Sequence, residues 1–200
     1  MAFELVSAET WRGFFKNPPP GTYCPDNPPS ISDIAQYMPR RSTVNSAGYD
    51  FFMPYQVTGY QGIVTYIPTG FKWNPSDSRI ITSREEWVNQ QYPDRVHPEK
   101  TIRLKVPNQV FLALYPRSSY GMKYGFRLLN TTGIIDADYY NNEDNEGHII
   151  VAFTTSTDIQ IKAGDKFCQG IIQPYFISTG EIAVNTIRSG GMGSTDVSSI

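Results

Sequence analysis

VFLALYPRSSYG, residues 110–121, carries a structural and a chemical signal side by side. Its first half, VFLALYP, is a short apolar run closed by a proline, the pattern of a buried strand. Its second half sets a cation, two hydroxyls and a glycine directly after that strand: Arg117, Ser118, Ser119 and Gly121. Such a set binds phosphate oxygens through charge-assisted hydrogen bonds and accessible backbone N–H groups. Standing alone, Arg-Ser-Ser is equally a polar strand end or turn, so the rest of the chain has to decide.

Toward the C-terminus, HIIVAFTT (148–155), IQIKAG (159–164) and FCQGIIQPYF (167–176) read as further short strands. Their spacing suits a sandwich or barrel. Toward the N-terminus, YDFFMPYQV (49–57) and QGIVTYIPTGF (61–71) are strands broken by Pro and Gly. The composition agrees, with thirteen Tyr, eleven Phe, and frequent Gly and Pro. Aromatics favour strands, and Gly and Pro favour the turns between them. The fold class is therefore all-β, with a few short helices. Residues 1–45 form an N-terminal arm, aromatic and then proline-rich, which reads as extended until Ser30 caps a short helix ending near Met38. Residues 46–187 form the β domain. Residues 74–106 are a polar insertion, in which Ser83-Arg84-Glu85-Glu86 opens a short helix as a capping box. Residues 188–200 are a Gly/Ser-rich tail, expected to be mobile until a ligand binds.

A net charge of −2 argues against a broad nucleic-acid surface, so any phosphate site is local. Cys24 and Cys168 lie far apart and read as free thiols in a reducing compartment. The first residues lack the basic start and apolar run of a signal peptide, and no stretch is long and apolar enough to span a bilayer. The expectation is a cytoplasmic protein, or one in the host cytoplasm if it is of phage origin. His97 and His148 stand apart in polar surroundings and read as solvated surface histidines, with no zinc-ligand spacing.

Four more segments carry chemistry. In NTTGIIDADYY (130–140), Ile134 and Ile135 hold a strand that delivers Asp136 to its end, where a carboxylate serves as a general base for water. Asp138 and Tyr139 follow, as in a hairpin return. In AGDKFCQG (163–170), Gly164-Asp165 turns into a strand that contains Gln169. RSGGMGSTD (188–196) offers backbone donors and hydroxyls to a triphosphate. The fourth is SAGYDFFMP (46–54).

Taken together and in order, AGYD (47–50), PRSS (116–119), GIIDADY (133–139), GDKFCQ (164–169) and RSGGMGSTD (188–196) resemble the five motifs of the trimeric dUTPase family. Those run AGxD, PRSG or PRSS, GxIDxDY, GDRxAQ and RGxGGFGSTG. IPTGF (67–71) also matches the strand before the second motif. The resemblance implies a jelly-roll β-sandwich or barrel, and a homotrimer whose three active sites each draw on all three chains. It implies hydrolysis of dUTP to dUMP and pyrophosphate with Mg²⁺, keeping uracil out of DNA. It makes Asp136 the base that activates water against the α-phosphorus. It gives phosphate or water contacts to Arg117, Ser118, Ser119 and Gln169, and to Arg188, Gly191, Gly193, Ser194 and Thr195 of the closing tail. It gives the uracil and deoxyribose to Asn130, Gly133, Ile135 and Tyr139. Magnesium is held mainly by substrate phosphates and waters, with Asp50 as indirect support.

The chain departs from the family at three places. Met192 replaces a phenylalanine in the tail, and Arg188 stands one residue closer to that position than in the family pattern. YYNNEDNEGH (139–148) lengthens the turn after Asp138, which with 74–106 reads as polar surface loop. Two rivals share the fold. A dCTP deaminase, or its bifunctional form with dUTPase activity, places a catalytic Glu five residues beyond the glycine after the Asp-containing turn. Counting from Gly147, that position is Ala152. The other rival is a regulatory domain that binds the nucleotide without turnover, against which the intact Asp136, Arg117, Ser118 and Gln169 argue.

Overall fold

A computed structural model describes residues 2–77, 109–178 and 180–181. The insertion beyond residue 77, with its capping box and His97, lies outside the described residues, as does the tail with Arg188 and Gly191–Thr195. In chain order the elements are β1 (Phe3–Leu5), α1 (Ala8–Lys16), α2 (Ile31–Ile34), β2 (Tyr49–Phe52), β3 (Val57–Gly59), β4 (Thr65–Pro68) and β5 (Phe71–Trp73). There follow β6 (Val110–Pro116), α3 (Ser118–Tyr124), β7 (Arg127–Leu128), β8 (Gly133–Ile135), β9 (Ile150–Thr154), β10 (Ile159–Ile161) and β11 (Lys166–Pro174).

The strands form four antiparallel sheets, ordered β2-β11-β6-β8, β4-β9-β7, β1-β5 and β10-β3. The fold is all-β, and among the described residues no sheet closes into a barrel. β6 sits between β11 and β8, and Val110, Leu112, Ala113 and Leu114 are all buried. Cover on both faces explains its unbroken apolar run. One core cluster joins all four sheets, with Phe51 and Phe167 from the first, Phe153 from the second, Phe71 from the third and Ile161 from the fourth. Phe126 stacks on Phe153 at 4.5 Å within it.

The N-terminal arm is folded rather than extended. β1 pairs with β5 in the register Phe3↔Trp73. Ser7 caps α1 by accepting the Thr10 N–H at 3.1 Å. Trp11 and Phe14 fall on the inner face of α1 and are buried. The spacing of Trp11, Phe14 and Phe15 is a helical stripe, which the prolines that follow had masked. Ser30 caps α2, as the sequence led one to expect, and Asp33 completes a capping box with it.

The loop after Asp138 differs from a solvated turn. The Glu146 carboxylate accepts the Ser7 N–H at 3.1 Å and the Thr10 hydroxyl at 2.5 Å, and it pairs with Lys72 at 3.5 Å. Asn142 is buried, bonding the Tyr139 carbonyl at 2.8 Å. The loop is thus a clamp on the first turn of α1, where a carboxylate also complements the helix dipole.

His148, expected at the surface, is 1% exposed. Its Nε2 accepts the Gly70 N–H at 3.0 Å, which requires a neutral ring. Burial pushes its pKa down to about 4 from the ordinary value, and Glu146 only partly opposes this. The unfolded chain therefore binds the extra proton first. Stability is complete above the ordinary histidine range and is lost as pH falls toward 4, by about 3 kcal/mol. We expect the urea midpoint to fall between pH 7.5 and 4.5, and His148→Gln to flatten that fall. Equal pH dependence in both proteins would show that His148 does not drive it.

Candidate active site

A cavity of about 580 Å³ opens between the β6-β8 edge and the outer face of the β4-β9-β7 sheet. The segment from Leu128 to Ile135, which turns from β7 of one sheet into β8 of another, forms one bank. Its tip is fixed by the bond from Thr131 N–H to the Leu128 carbonyl at 3.1 Å, with Thr131 in the left-handed region at φ 65°. Asn130, Gly133, Ile135, Asp136 and Tyr139 all line the cavity, so the nucleoside residues read from the sequence converge on one place. Gly133 packs on Leu114, where an added Cβ would stand 3.1 Å from the Leu114 Cβ. Asp136 lies at the solvent-exposed lip, immediately before a 3-10 turn, Ala137–Tyr139, that stands in place of the expected hairpin return. That turn drives Tyr139 inward. Its hydroxyl donates to the His148 carbonyl at 3.2 Å and accepts from Asn145 at 2.8 Å, so the buried ring is held from behind.

Ala152 also lines the cavity. The residue at the position where a deaminase needs its glutamate is therefore in the right place and has only a methyl group. Pro19, Tyr66, Ile150 and Leu128 line the cavity too, and none of them had been singled out. Tyr66 and Ile150 had a signal in the strand alternation; Pro19 had none.

The second cluster gathers on Asp50 in β2. Asp50 is 3% exposed. It is paired with Arg117 and, at 3.0 Å, with Lys166, and it accepts a hydrogen bond from the Ser42 hydroxyl. Burial works to raise its carboxyl, but the bonds from Ser42 and Lys166 and the charges of Arg117 and Lys166 outweigh it and hold it below the usual range. Lys166 reaches this face because of a β-bulge. β11 pairs Lys166 with Phe52 but Cys168 with Phe51, leaving Phe167 as the extra residue. Phe167 and Cys168 both turn into the core. The bulge thereby returns Lys166 to the side of Gln169 and Asp50, from which strict alternation would have excluded it. Gln169 stands opposite Asp50 and lies over Gly48, where a Cβ would meet its Oε1 at 2.7 Å.

Arg117 is anchored by its N–H to the Phe167 carbonyl at 3.1 Å and precedes α3. Ser118 and Ser119 are exposed in the first turn of that helix, where backbone N–H groups have no preceding intrahelical acceptor. The sequence reading had no helix here; its C-terminal signal is Gly125, at φ 59°.

These two clusters do not meet within one chain. β6 and β8 run antiparallel with Leu112 opposite Ile135 and Leu114 opposite Gly133. Asp136 therefore leaves at the Phe111 end of β6, while Arg117 leaves at the Pro116 end. The separation is about 20 Å along the strands.

The all-β fold thus presents a carboxylate-edged cavity and, at the far end of the same sheet, an Arg-Ser-Ser helix start whose donors suit a phosphate. Comparison with known proteins is more specific. Residues 90–196 match the dUTPase family model. The chain is 33% identical over 161 residues to the deoxyuridine 5'-triphosphate nucleotidohydrolase of Lactococcus lactis subsp. lactis strain IL1403, covering 79% of this chain and 87% of that protein. It is 36% identical over 109 residues to the enzyme of the same name from Paramecium bursaria Chlorella virus 1, covering 52% of this chain and 72% of the relative. Its fold resembles the dUTPase of Streptococcus mutans with a TM-score of 0.53 at 24% identity, covering 90% of this chain and all of the other. The chain belongs to the dUTPase family and is an enzyme.

Proposed function

We propose that the chain hydrolyses dUTP to dUMP and pyrophosphate. The observation that carries this reading is the cavity in which Asn130, Gly133, Ile135 and Tyr139 converge with Asp136 at the lip and Ala152 on the wall. The backbone of the 128–135 segment and Asn130 read the uracil edge. The Tyr139 ring packs on the deoxyribose and leaves no room for a 2′-hydroxyl. Asp136 takes a proton from water as that oxygen forms its bond to the α-phosphorus. The bond from the α-phosphorus to the bridging oxygen breaks, and pyrophosphate leaves. Arg117, Ser118, Ser119 and Gln169 supply donors to the phosphates, and Gly191, Gly193, Ser194, Thr195 and Arg188 close over them. Without a glutamate at 152, nothing there assists attack of water on a ring carbon.

The reading includes a homotrimer with shared sites. It is supported by the separation of Arg117 from Asp136 and by exposed apolar side chains: Phe176 is 86% exposed and Ile134 52%. It includes magnesium bound chiefly through the triphosphate. Among the described residues no three His, Cys, Asp or Glu side chains converge, and Asp50 is already engaged by Arg117 and Lys166, which fits it to support rather than ligate. When bound, the ion neutralises phosphate charge and orients the leaving group. We place the enzyme in the cytoplasm.

Incubation with dUTP and, separately, with dCTP tests the reading. Pyrophosphate from dUTP, and no ammonia from dCTP, is the expected result. Ammonia would make the chain a deaminase, and binding without either product a regulatory domain.

A further inference from the structure

The cavity is a trough. Its floor is the outer face of the β4-β9-β7 sheet, where Tyr66 stands opposite Ala152 and Ile150 lies two residues along on the same face. The 128–135 segment is one bank, on the β7 side, and Pro19, from the turn that follows α1 and packs beside Val64 ahead of β4, lines the cavity as well. We propose that Pro19 is a specificity-determining residue of the nucleoside pocket, a fixed apolar wall that holds the deoxyuridine moiety against that segment. This deepens the dUTP reading and rests on it.

Four observations hold the wall in place. Pro18, Pro19 and Pro20 are consecutive, so each φ is locked. The Pro19 carbonyl accepts both the Thr22 N–H, at 3.1 Å, and the Thr22 hydroxyl, at 2.5 Å. Gly21, at φ 84°, seats the turn against the chain entering β4, where a Cβ would stand 3.1 Å from the Val64 carbonyl oxygen. The flanks are clamped: Trp11 is buried and donates to the Pro29 carbonyl at 2.7 Å, and the Tyr55 hydroxyl donates to the Tyr23 carbonyl at 3.3 Å. A rigid turn costs no ordering when substrate enters. The proline ring offers no donor or acceptor to compete with the uracil edge, and it keeps water from one side of the bound nucleoside. The turn precedes the residues that match the family model, 90–196.

A wall that touches the nucleoside in ground and transition state alike acts on KM and leaves kcat in place. The full-length Pro19→Gly and Pro19→Ala proteins test this. Both keep the Pro19 carbonyl bonds to Thr22, because that carbonyl is backbone. The readouts are kcat and KM for dUTP, inhibition by dUMP, inhibition by inorganic pyrophosphate, and a thermal melt. For Pro19→Gly we expect KM for dUTP and the inhibition constant of dUMP each to rise about tenfold, the scale of one lost apolar contact face. Pyrophosphate inhibition and kcat should stay within about twofold of the parent in the same comparison, and the melting temperature should fall by no more than about 4 °C. Pro19→Ala should fall between. Unchanged KM and dUMP inhibition in both variants would overturn the proposal, as would an equal loss of dUMP and pyrophosphate binding. A parent chain that does not hydrolyse dUTP would instead overturn the reading beneath it.

Discussion

Asp136→Asn is expected to bind dUTP as the parent does and to turn it over about a thousandfold more slowly, within the range a positioned general base contributes. The side chain keeps its size and makes no capping bond to the 3-10 turn that follows it, so that turn and the Tyr139 ring in it should stay in place. What is lost is the acceptor for the water's proton. Asp136 sits at the exposed lip of the cavity, where water reaches it freely. Titration calorimetry with dUTP and steady-state kinetics on one preparation check both halves. Near-normal turnover would remove Asp136 from the role of base and turn attention to another group at the lip.

Mixing two inactive proteins is expected to restore activity. Arg117→Gln removes a phosphate cation, while Lys166 and Ser42 still satisfy Asp50. Asp136→Asn removes the base. In one chain the two positions leave opposite ends of the β6-β8 ladder, about 20 Å apart. One substrate cannot reach both unless a second copy supplies one of them. In a closed symmetric trimer assembled at random, about a quarter of the sites receive a good Asp136 from one chain and a good Arg117 from another. Co-refolded mixtures should therefore recover up to that share of parental activity, against almost none for either variant alone. A mixture as inactive as its parts, or a fully active monomer by light scattering, would sink the shared-site arrangement.

Much of this molecule was legible in its sequence, for identifiable reasons. β6 announced itself because a central strand covered on both faces has to be apolar throughout. Asn130, Gly133, Ile135, Asp136 and Tyr139 line one cavity because they are neighbours along the chain, in β8 and the turns on either side of it. Pairings that depend on tertiary structure were not legible. Nothing near Ser42 says that it meets Asp50, and only the bulge at Phe167 brings Lys166 to that carboxylate. His148 was misjudged because polar neighbours in sequence, Glu146 and Asn145, turn out to serve α1 and Tyr139 rather than water. α1 was missed because a proline run followed it. Its stripe of Trp11, Phe14 and Phe15 was present, but the groups it packs against, Tyr55, Gly70 and His148, lie far along the chain.

That distance shapes how the chain comes to be folded. β1 is made before its partner β5, which follows some seventy residues later. α1 exposes Trp11 and Phe14 until the strands around them exist, and its capping carboxylate, Glu146, follows 136 residues after Thr10. The segment from β1 to α1 is therefore made well before the groups that complete it. Its docking waits for them and is slowed by contacts of long sequence separation. During that interval the aromatic stripe is open to chaperones and to other nascent copies.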